Sequence, residues 1–510
     1  MAVPNFIASL KPRKEMRAGR PLWECLREVT WMQWAQFWAG WLAWSCDAID
    51  FFSVSLSVTN LETAFGKSAH TITTSITLTL LFRSVGAVIF GVISDRFGRK
   101  WPLVFNLMLC SVIELGSGFV KTYPQFLAAR SLFGVAMGGI WGLSAASALE
   151  NLPVELRGLA SGVLQQGYAA GYLIAAVINL YLVPEQSQGW RALFWTGSGI
   201  SMFAAFLRSL LPESELFMRA KELEKARGST TGKKTKVFIR ETGRMLKKHW
   251  MLCIYAVLLM TGFNFLSHGS QDLYPTYLQS SKNFTPHAAT VSTIIGNCGA
   301  IAGGAIAGYA SQYIGRRLTI IICCLLVGVF IPLWIIPSSF AALSAGAFCI
   351  QFGVQGAWGV IPIQLAEMSP PAFRATFPGV AYQLGNMISS ASAQIEATGG
   401  DNLKTTIIEK GKPVVVPNYA EVQGILIGVV VAFVIFITLI GPENHGAHFE
   451  KAKTAFEEGG GNDELEDEDL TTGGSAPEMR ARPRVAGDAE AGSSVNDEKA
   501  AVEEERISNT

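Results

Sequence analysis

Apolar stretches of about 20 residues, each long enough to cross a bilayer as an α-helix, follow one another along this chain with polar connections between them. They lie near 31–57, 74–94, 101–120, 125–148, 158–181, 190–211, 250–279, 288–311, 318–337, 340–365, 375–396 and 422–441. The pattern predicts an all-α membrane protein with twelve transmembrane helices. The flanks differ in character. Residues 1–30 read as a basic arm, and 212–249 as a helical linker that mixes Glu with Lys and Arg. Residues 442–510 have the acidic, Gly- and Ser-rich composition of a disordered tail. An insert near 397–420, with Gly399-Gly400 and two prolines, reads as a loop.

Composition supports a membrane protein rather than a soluble core: 50% of residues are hydrophobic and only 16% charged. A net charge of +1, with no basic–aromatic patch, gives no reason to expect a nucleic-acid partner. The eight cysteines lie mostly inside apolar runs and show neither metal-ligand nor disulfide spacing. No nucleophile–base pair is legible either, so a transporter is read rather than an enzyme, and no cofactor or metal is expected. The arm carries Lys11, Arg13, Lys14, Arg17 and Arg20 but no apolar region followed by a cleavage site, so it does not read as a signal peptide. Lys and Arg crowd Arg96–Lys100, the 212–249 linker and Arg316-Arg317, while the opposite loops hold few. Positive charge stays inside, so both termini are expected in the cytoplasm.

The two halves of the chain repeat each other. Gly91-x-x-x-Asp95-Arg96-x-Gly98-Arg99-Lys100 after the second run recurs as Gly308-x-x-x-Gln312-Tyr313-x-Gly315-Arg316-Arg317 after the eighth. Glu150-x-x-Pro153-x-x-x-Arg157 recurs as Glu367-x-x-Pro370-x-x-x-Arg374, and Gly139-x-Trp141-Gly142 as Gly356-x-Trp358-Gly359. All three matches share one register. Residues 31–211 and 250–441 therefore read as two six-helix pseudo-repeats. Parallel six-helix repeats with a Gly-x-x-x-Asp-Arg-x-Gly-Arg-Lys loop resemble the major facilitator superfamily, which implies a substrate site near the midplane between the halves. In such proteins these loops are gating and structural parts. Asp95, Arg96, Arg99, Glu150, Arg157, Glu367 and Arg374 are assigned to that role. With Gln312 and Tyr313 in place of Asp and Arg, the second copy is expected to have the weaker charge network.

Polar groups inside the apolar runs mark function, because each costs several kcal/mol in hydrocarbon unless satisfied. The seventh run carries most of them. Asn264, Ser267, His268, Gln271 and Asp272 fall on one helix face at about 100° per residue. They read as the lining of a path for a small polar solute and a proton, or as a polar helix end in the headgroup region. His268 and Asp272, four apart, can share or pass a proton and titrate as a unit. Arg83 lies mid-way through the second run. It reads as the anchor of a substrate carboxylate, or as a structural partner of Asp47, Asp50 or Asp272. Gln383 and Asn386 share a face of the eleventh run and are assigned to substrate. Gln165 and Gln166 of the fifth bind solute or bridge helices. Asp47 and Asp50 are cavity lining or an outer helix end. Arg130 and Glu114 are unassigned. Trp31, Trp34, Trp38, Trp41 and Trp44 read as interfacial and lipid-facing.

The stretch Asn264-x-x-Ser267-His268-x-Ser270-Gln271-Asp272-x-x-x-Thr276 matches the pattern of the fungal Jen-type lactate/pyruvate permeases, in the sialate:proton symporter branch of the superfamily. This resemblance implies a plasma-membrane, proton-coupled symporter importing short monocarboxylates such as lactate, pyruvate or acetate by alternating access. It implicates Asn264, His268, Gln271 and Asp272, an intramembrane Arg that Arg83 fits, and a pair that Gln383 and Asn386 fit; with Ser267 of the same face, Arg83, Asn264, His268, Gln271, Gln383 and Asn386 are assigned to substrate, and His268 and Asp272 to the proton. Its partners would be the substrate, protons and the lipid bilayer, with sorting or ubiquitin machinery at the cytoplasmic tails. Some relatives prefer dicarboxylates. A carrier of another organic acid or sugar, and a non-transporting sensor on the same fold, stay open.

Overall fold

The computed structural model describes residues 21–149, 152–214, 217–218, 221–222, 231–373, 376–409, 412–443 and 462. Glu150 and Arg374, two of the residues expected at the gating loops, lie outside these, as do most of the basic arm and the acidic tail.

The apolar runs form twelve helical passes. In order they are Trp31–Phe65, Ala69–Phe97, Lys100–Ser117, Tyr123–Met137 continued by Ile140–Leu149, Arg157–Glu185 and Arg191–Leu210. After the linker come Thr231–Gln271 beyond a kink at His249, continued by Tyr274–Ser280, then Pro286–Ile314, Arg316–Ile335 and Phe340–Met368. The last two are Thr376–Ser389, continued by Ser392–Asn402, and Tyr419–Ile440. Among the described residues, eight helices are long and apolar enough by composition alone to cross a membrane. The first pass is not among them; it carries Asp47 and Asp50 in its middle.

Three passes that read as continuous are broken, the fourth at Gly138-Gly139 between Met137 and Ile140. The seventh stops at Gln271 and restarts at Tyr274, with Pro275 in the new first turn, where its missing N–H costs nothing. The eleventh breaks between Ser389 and Ser392. The insert near 397–420 is not a plain loop. It holds the end of helix Ser392–Asn402 and an antiparallel hairpin, β1 (Lys404–Glu409) with β2 (Lys412–Pro417). The β-branched Val414-Val415-Val416 run suits a strand, and the flanking prolines fall at its ends. Part of the basic arm is also ordered: Leu22–Glu28 is a short helix, and Thr30 caps the first pass through a capping box with Gln33.

The repeat is visible in backbone geometry. Gly98 and Gly315, equivalent in the two halves, have φ of 100° and 98°, a region costly for any residue with a Cβ. Each lies between two passes, and its N–H bonds Ser94 or the equivalent Ser311. A Glu then closes each turn. Glu213, after the sixth pass, accepts from the amides of Arg99 and Lys100 at 3.0 Å. Glu443, after the twelfth, accepts from those of Arg316 and Arg317 at 2.9 and 3.0 Å. A carboxylate on the free amides at a helix N-terminus is favourable through both hydrogen bonds and dipole.

The halves meet along the fifth and eighth passes and along the second and eleventh. A Cβ on Gly162 would stand 2.4 Å from the carbonyl oxygen of Gly304, and one on Gly308 2.6 Å from the Gly162 Cα, so this crossing needs glycine on both sides. Ser161 donates to the Gly359 carbonyl at 2.8 Å, and Ser84 to that of Gln383 at 2.8 Å. Near the basic loops, Thr376 of the second half donates to Asp95 of the first. At the other end Gln394 donates to His70, Thr73 and Thr74. Both ends are thus tied, and the polar groups between them are buried.

Candidate functional site

Arg83 and Asp47 sit at the centre of the first half. Arg83 Nη2 is 2.8 Å from Asp47 Oδ2, and both side chains have no exposed surface. Of the three partners left open for Arg83, the fold selects Asp47. Arg83 Nε and Nη1 and Asp47 Oδ1 have no hydrogen-bond partner among the described residues. The guanidinium carbon is 5.9 Å from the Tyr382 ring centroid, a cation–π distance. Tyr382, from the second half, stacks on Trp141 at 4.6 Å and meets the repeat-equivalent Trp358 edge-on at 5.5 Å.

From the first half a directed line of amides runs to His268. The Gly138 carbonyl can only accept, so the Gln383 atom facing it at 3.3 Å is Nε2. Gln383 Oε1 therefore accepts from Asn386 Nδ2 at 2.8 Å. That leaves Asn386 Oδ1 facing His268 Nε2 at 3.0 Å, and Nε2 must carry the proton. The other ring nitrogen, Nδ1, lies 3.1 and 3.3 Å from the two Asp272 oxygens. A second proton must lie between Nδ1 and the carboxylate. Imidazolium with carboxylate places it there, and so does neutral imidazole with carboxylic acid. Both have the same proton count. As built, the line is complete only with His268 and Asp272 jointly holding that proton.

Ser267 and Gln271 form a second branch on the same helix face. Ser267 donates to Gln271 Oε1 at 3.0 Å, and Gln271 Nε2 to Gln351 Oε1 at 2.8 Å. Gln351 Nε2 returns to Ser270 Oγ at 3.1 Å. Asn264 turns back on its own helix, donating to Met260 at 2.8 Å, and crosses to the Tyr382 carbonyl at 3.3 Å. The polar face of the seventh pass is thus buried between the halves rather than a helix end in headgroups. Phe51 of the first pass meets the His268 ring edge-on at 5.7 Å.

Other polar groups settle elsewhere. Asp50 accepts from Ser201 at 2.8 Å. Arg130 and Glu114 form a buried pair at 2.5 Å inside the first half. Gln165 bridges within that half, accepting from Trp141 Nε1 at 3.3 Å. Gln166 bonds its own Gly162 carbonyl at 3.0 Å. Trp44 corrects the belt reading: Trp31 is 80% exposed and Trp38 48%, but Trp44 is 1% exposed and stacks on Tyr168 at 5.1 Å. At the basic loops Asp95 lies 3.6 Å from Arg99, and Arg157 Nε donates to the Leu152 carbonyl at 3.1 Å. The Arg96 guanidinium lies over Phe97. The second copy is not short of charge contacts: Arg316 grips Glu367 through two bonds of 3.1 Å and Gln312 through one of 3.0 Å. Sequence reasoning missed Gln351, Asn297, Tyr168 and Tyr382. Gln351 and Gln355, four apart in an apolar run, carried the same kind of signal as Gln383 and Asn386.

Comparison with known proteins agrees with this architecture. The family described as sugar (and other) transporter matches residues 24–456. A carboxylic acid transporter protein homolog of Saccharomyces cerevisiae is 37% identical over 429 residues, covering 82% of this chain and 69% of its own. A probable 4-methylmuconolactone transporter of Cupriavidus pinatubonensis is 27% identical over 81% of this chain and 91% of its own. The solved structure of XylE, a major facilitator superfamily proton:xylose symporter, superposes with a TM-score of 0.64 at 16% identity, over 82% of this chain and 98% of that one. The structural likeness shows the twelve-helix major facilitator fold, and the sequence match shows that this multi-pass membrane chain belongs to the sugar (and other) transporter family.

Proposed function

We propose that the protein is a proton-coupled symporter that imports short monocarboxylates by alternating access across the plasma membrane. The observation that carries this reading is the placing of one cation with unused donors, Arg83, against the ring of Tyr382, whose chain neighbour Gln383 leads through Asn386 to the His268–Asp272 pair. Arg83 binds the substrate carboxylate in competition with Asp47. Gln383, Asn386, Asn264, Ser267 and Gln271 line its path, and His268 with Asp272 takes the proton. One anion entering with one proton leaves the charge of the loaded carrier equal to that of the empty one, which avoids moving net charge through low dielectric. The relatives named for carboxylic acids and muconolactone support an organic acid as cargo.

In the same reading the basic-loop end faces the cytoplasm, with the arm 1–30, the linker 212–249 and the tail 442–510 on that side. Residues 31–211 and 250–441 are the two rocking halves. The tails are where sorting or ubiquitin machinery would act. Asp95, Arg96, Arg99, Glu150, Arg157, Glu367 and Arg374 form the gate there.

The test is uptake of labelled lactate and succinate by purified protein in vesicles, with and without an inward proton gradient. Lactate is expected to accumulate only with the gradient. Accumulation of succinate would move the reading to dicarboxylates, and no uptake of any acid would leave a sensor.

A further inference from the structure

One buried carboxyl group takes part in none of the roles above. Glu396 lies in helix Ser392–Asn402, one turn beyond the break in the eleventh pass, and has no exposed surface. Its hydrogen-bond partners are neutral: Gln423 Nε2 of the twelfth pass donates to Oε2 at 2.8 Å, and Ser392 Oγ to Oε1 at 3.4 Å. A carboxylate buried without a cation is costly. Gln423 is buried too, and its Oε1 has no hydrogen-bond partner among the described residues. A carboxylate only accepts and offers that oxygen nothing, whereas a carboxylic acid has an O–H to give it. Acid and amide then pair through two bonds, and the orphaned acceptor is satisfied. By hydrogen-bond count Glu396 carries a proton in this form of the protein, as the His268–Asp272 pair does.

The breaks in the seventh and eleventh passes meet beside it. Leu273, next to Asp272, packs on Ala393 and Ala397, and all three are buried. Helix Ser392–Asn402 lies against the second, seventh and twelfth passes and β2. The titratable groups these bring to this end are His70 of the second, His268 and Asp272 of the seventh, Tyr419 and Glu421 of the twelfth and Lys412 of β2; Asp401 is on the helix itself. Of these, Asp272 and Tyr419 act on Glu396 electrostatically. The Tyr419 ring sits against Gly400, one turn past Glu396 and away from the basic loops. Along this helix Glu396 therefore lies between the level of Asp272 and the end opposite the basic loops. We propose that Glu396 is a proton relay, loaded from that end, which hands its proton to the His268–Asp272 pair. The Glu396 O–H bond breaks as an O–H or N–H bond forms on the pair. The carboxylate left behind keeps its bonds from Gln423 and Ser392 and takes its next proton from water at that end. This rests on the proton-coupled reading above.

The test uses full-length protein in lipid vesicles and the variant Glu396→Gln. The amide keeps the shape, accepts from Gln423 and has an N–H for the Gln423 oxygen, so chiefly the titrating proton is removed. Infrared pH-difference spectra, which need no transport, read that proton directly. The C=O stretch of a buried carboxylic acid is expected to be lost in Glu396→Gln and to return, shifted, in Glu396→Asp. A wild-type spectrum in Glu396→Gln overturns the proposal. Uptake of labelled lactate under an inward proton gradient reads the relay. Glu396→Gln should reach the wild-type accumulation ratio, because the coupling site is intact, but its initial rate should fall by about tenfold or more as the outer pH is raised. Glu396→Asp should restore most of that rate, which a merely structural role for Glu396 does not predict. An unchanged dependence of rate on outer pH overturns the relay, and so does a lost accumulation ratio, which would make Glu396 the coupling site itself. If the wild type imports no acid, the acid-import reading fails on its own, and the infrared titration alone decides whether Glu396 is a proton site.

Discussion

Arg83 and Asp47 face each other at 2.8 Å with no exposed surface on either side chain, yet only one guanidinium nitrogen is engaged. A buried charge that loses its partner destabilises by about 3–5 kcal/mol. A substrate carboxylate at Arg83 would supply a replacement partner. Asp47→Asn is therefore expected to lower the melting temperature of the purified protein, and lactate to restore more of it than it adds to the wild type. An equal lactate shift in both proteins would show that the carboxylate docks elsewhere.

Arg83→Lys keeps the charge and loses the planar fork. Lactate affinity should fall by about 1.5–3 kcal/mol, the worth of a charge-assisted hydrogen bond. Binding to the purified variant at matched monodispersity measures it. Wild-type affinity would leave Arg83 a purely structural partner of Asp47.

Asp95 ties the halves together at the basic-loop end through Thr376 and lies 3.6 Å from Arg99. Asp95→Asn weakens an acceptor in the closed form, so it alters cycling rather than recognition. Uptake of lactate, pyruvate and acetate should change by a common factor. A changed ratio among the three acids contradicts a gating role.

The Arg130–Glu114 pair lies inside one half, with Arg130 over the Phe133 ring at 4.1 Å. Glu114→Leu alone strands a buried cation and should cost about 3–5 kcal/mol, whereas Glu114→Leu with Arg130→Met should recover most of it. Thermal melting of the three proteins decides this. A double variant as unstable as the single one would point to a further anion held by Arg130.

How much of this was legible from the residues follows from what each signal depends on. The passes are written in local apolar runs, and the repeat in one register, so both could be read without a partner in view. The glycines at 98 and 315 betray their turns because only the backbone needs them. Partner choice is different. Arg83 faced three candidate carboxylates, and selecting Asp47 required knowing how the first and second passes cross. Trp44 continues the stripe of Trp34, Trp38 and Trp41, but helix periodicity gives a face and not a depth; Tyr168 and Tyr382 close over it. The break after Gln271 has a local sign in Pro275, which falls in the first turn of the helix that follows. The hairpin was hidden by its prolines, which mark the ends of β2 rather than exclude it.

The last expectation concerns coupling at His268 and Asp272. The amide line from Gly138 through Gln383 and Asn386 fixes an acceptor against His268 Nε2, and Asp272 presents acceptors to Nδ1. With one proton fewer, a ring nitrogen lone pair would face an oxygen lone pair. Turning the Asn386 amide relieves this but sets its oxygen against Gln383 Oε1, and turning Gln383 in response breaks its bond to Gly138, which joins the eleventh pass to the first half. Protonation and the packing of the halves are thereby linked. By reciprocity, whatever substrate gains from the protonated form, the proton gains from substrate. Asp272→Asn offers an amide oxygen to a neutral Nδ1–H or an amide N–H to a bare Nδ1, so the contact survives without the shared proton. This variant should lose gradient-driven accumulation of lactate and keep exchange of lactate between the two sides. His268→Ala removes the terminus of the amide line as well as the titrating ring, so it should impair binding and its pH dependence together. The measurement is the ratio of internal to external lactate at imposed pH differences, beside counterflow of labelled lactate. If Asp272→Asn still accumulates lactate to the wild-type ratio, the coupling proton is held elsewhere, and Asp47 and Asp50 become the carboxylates to test.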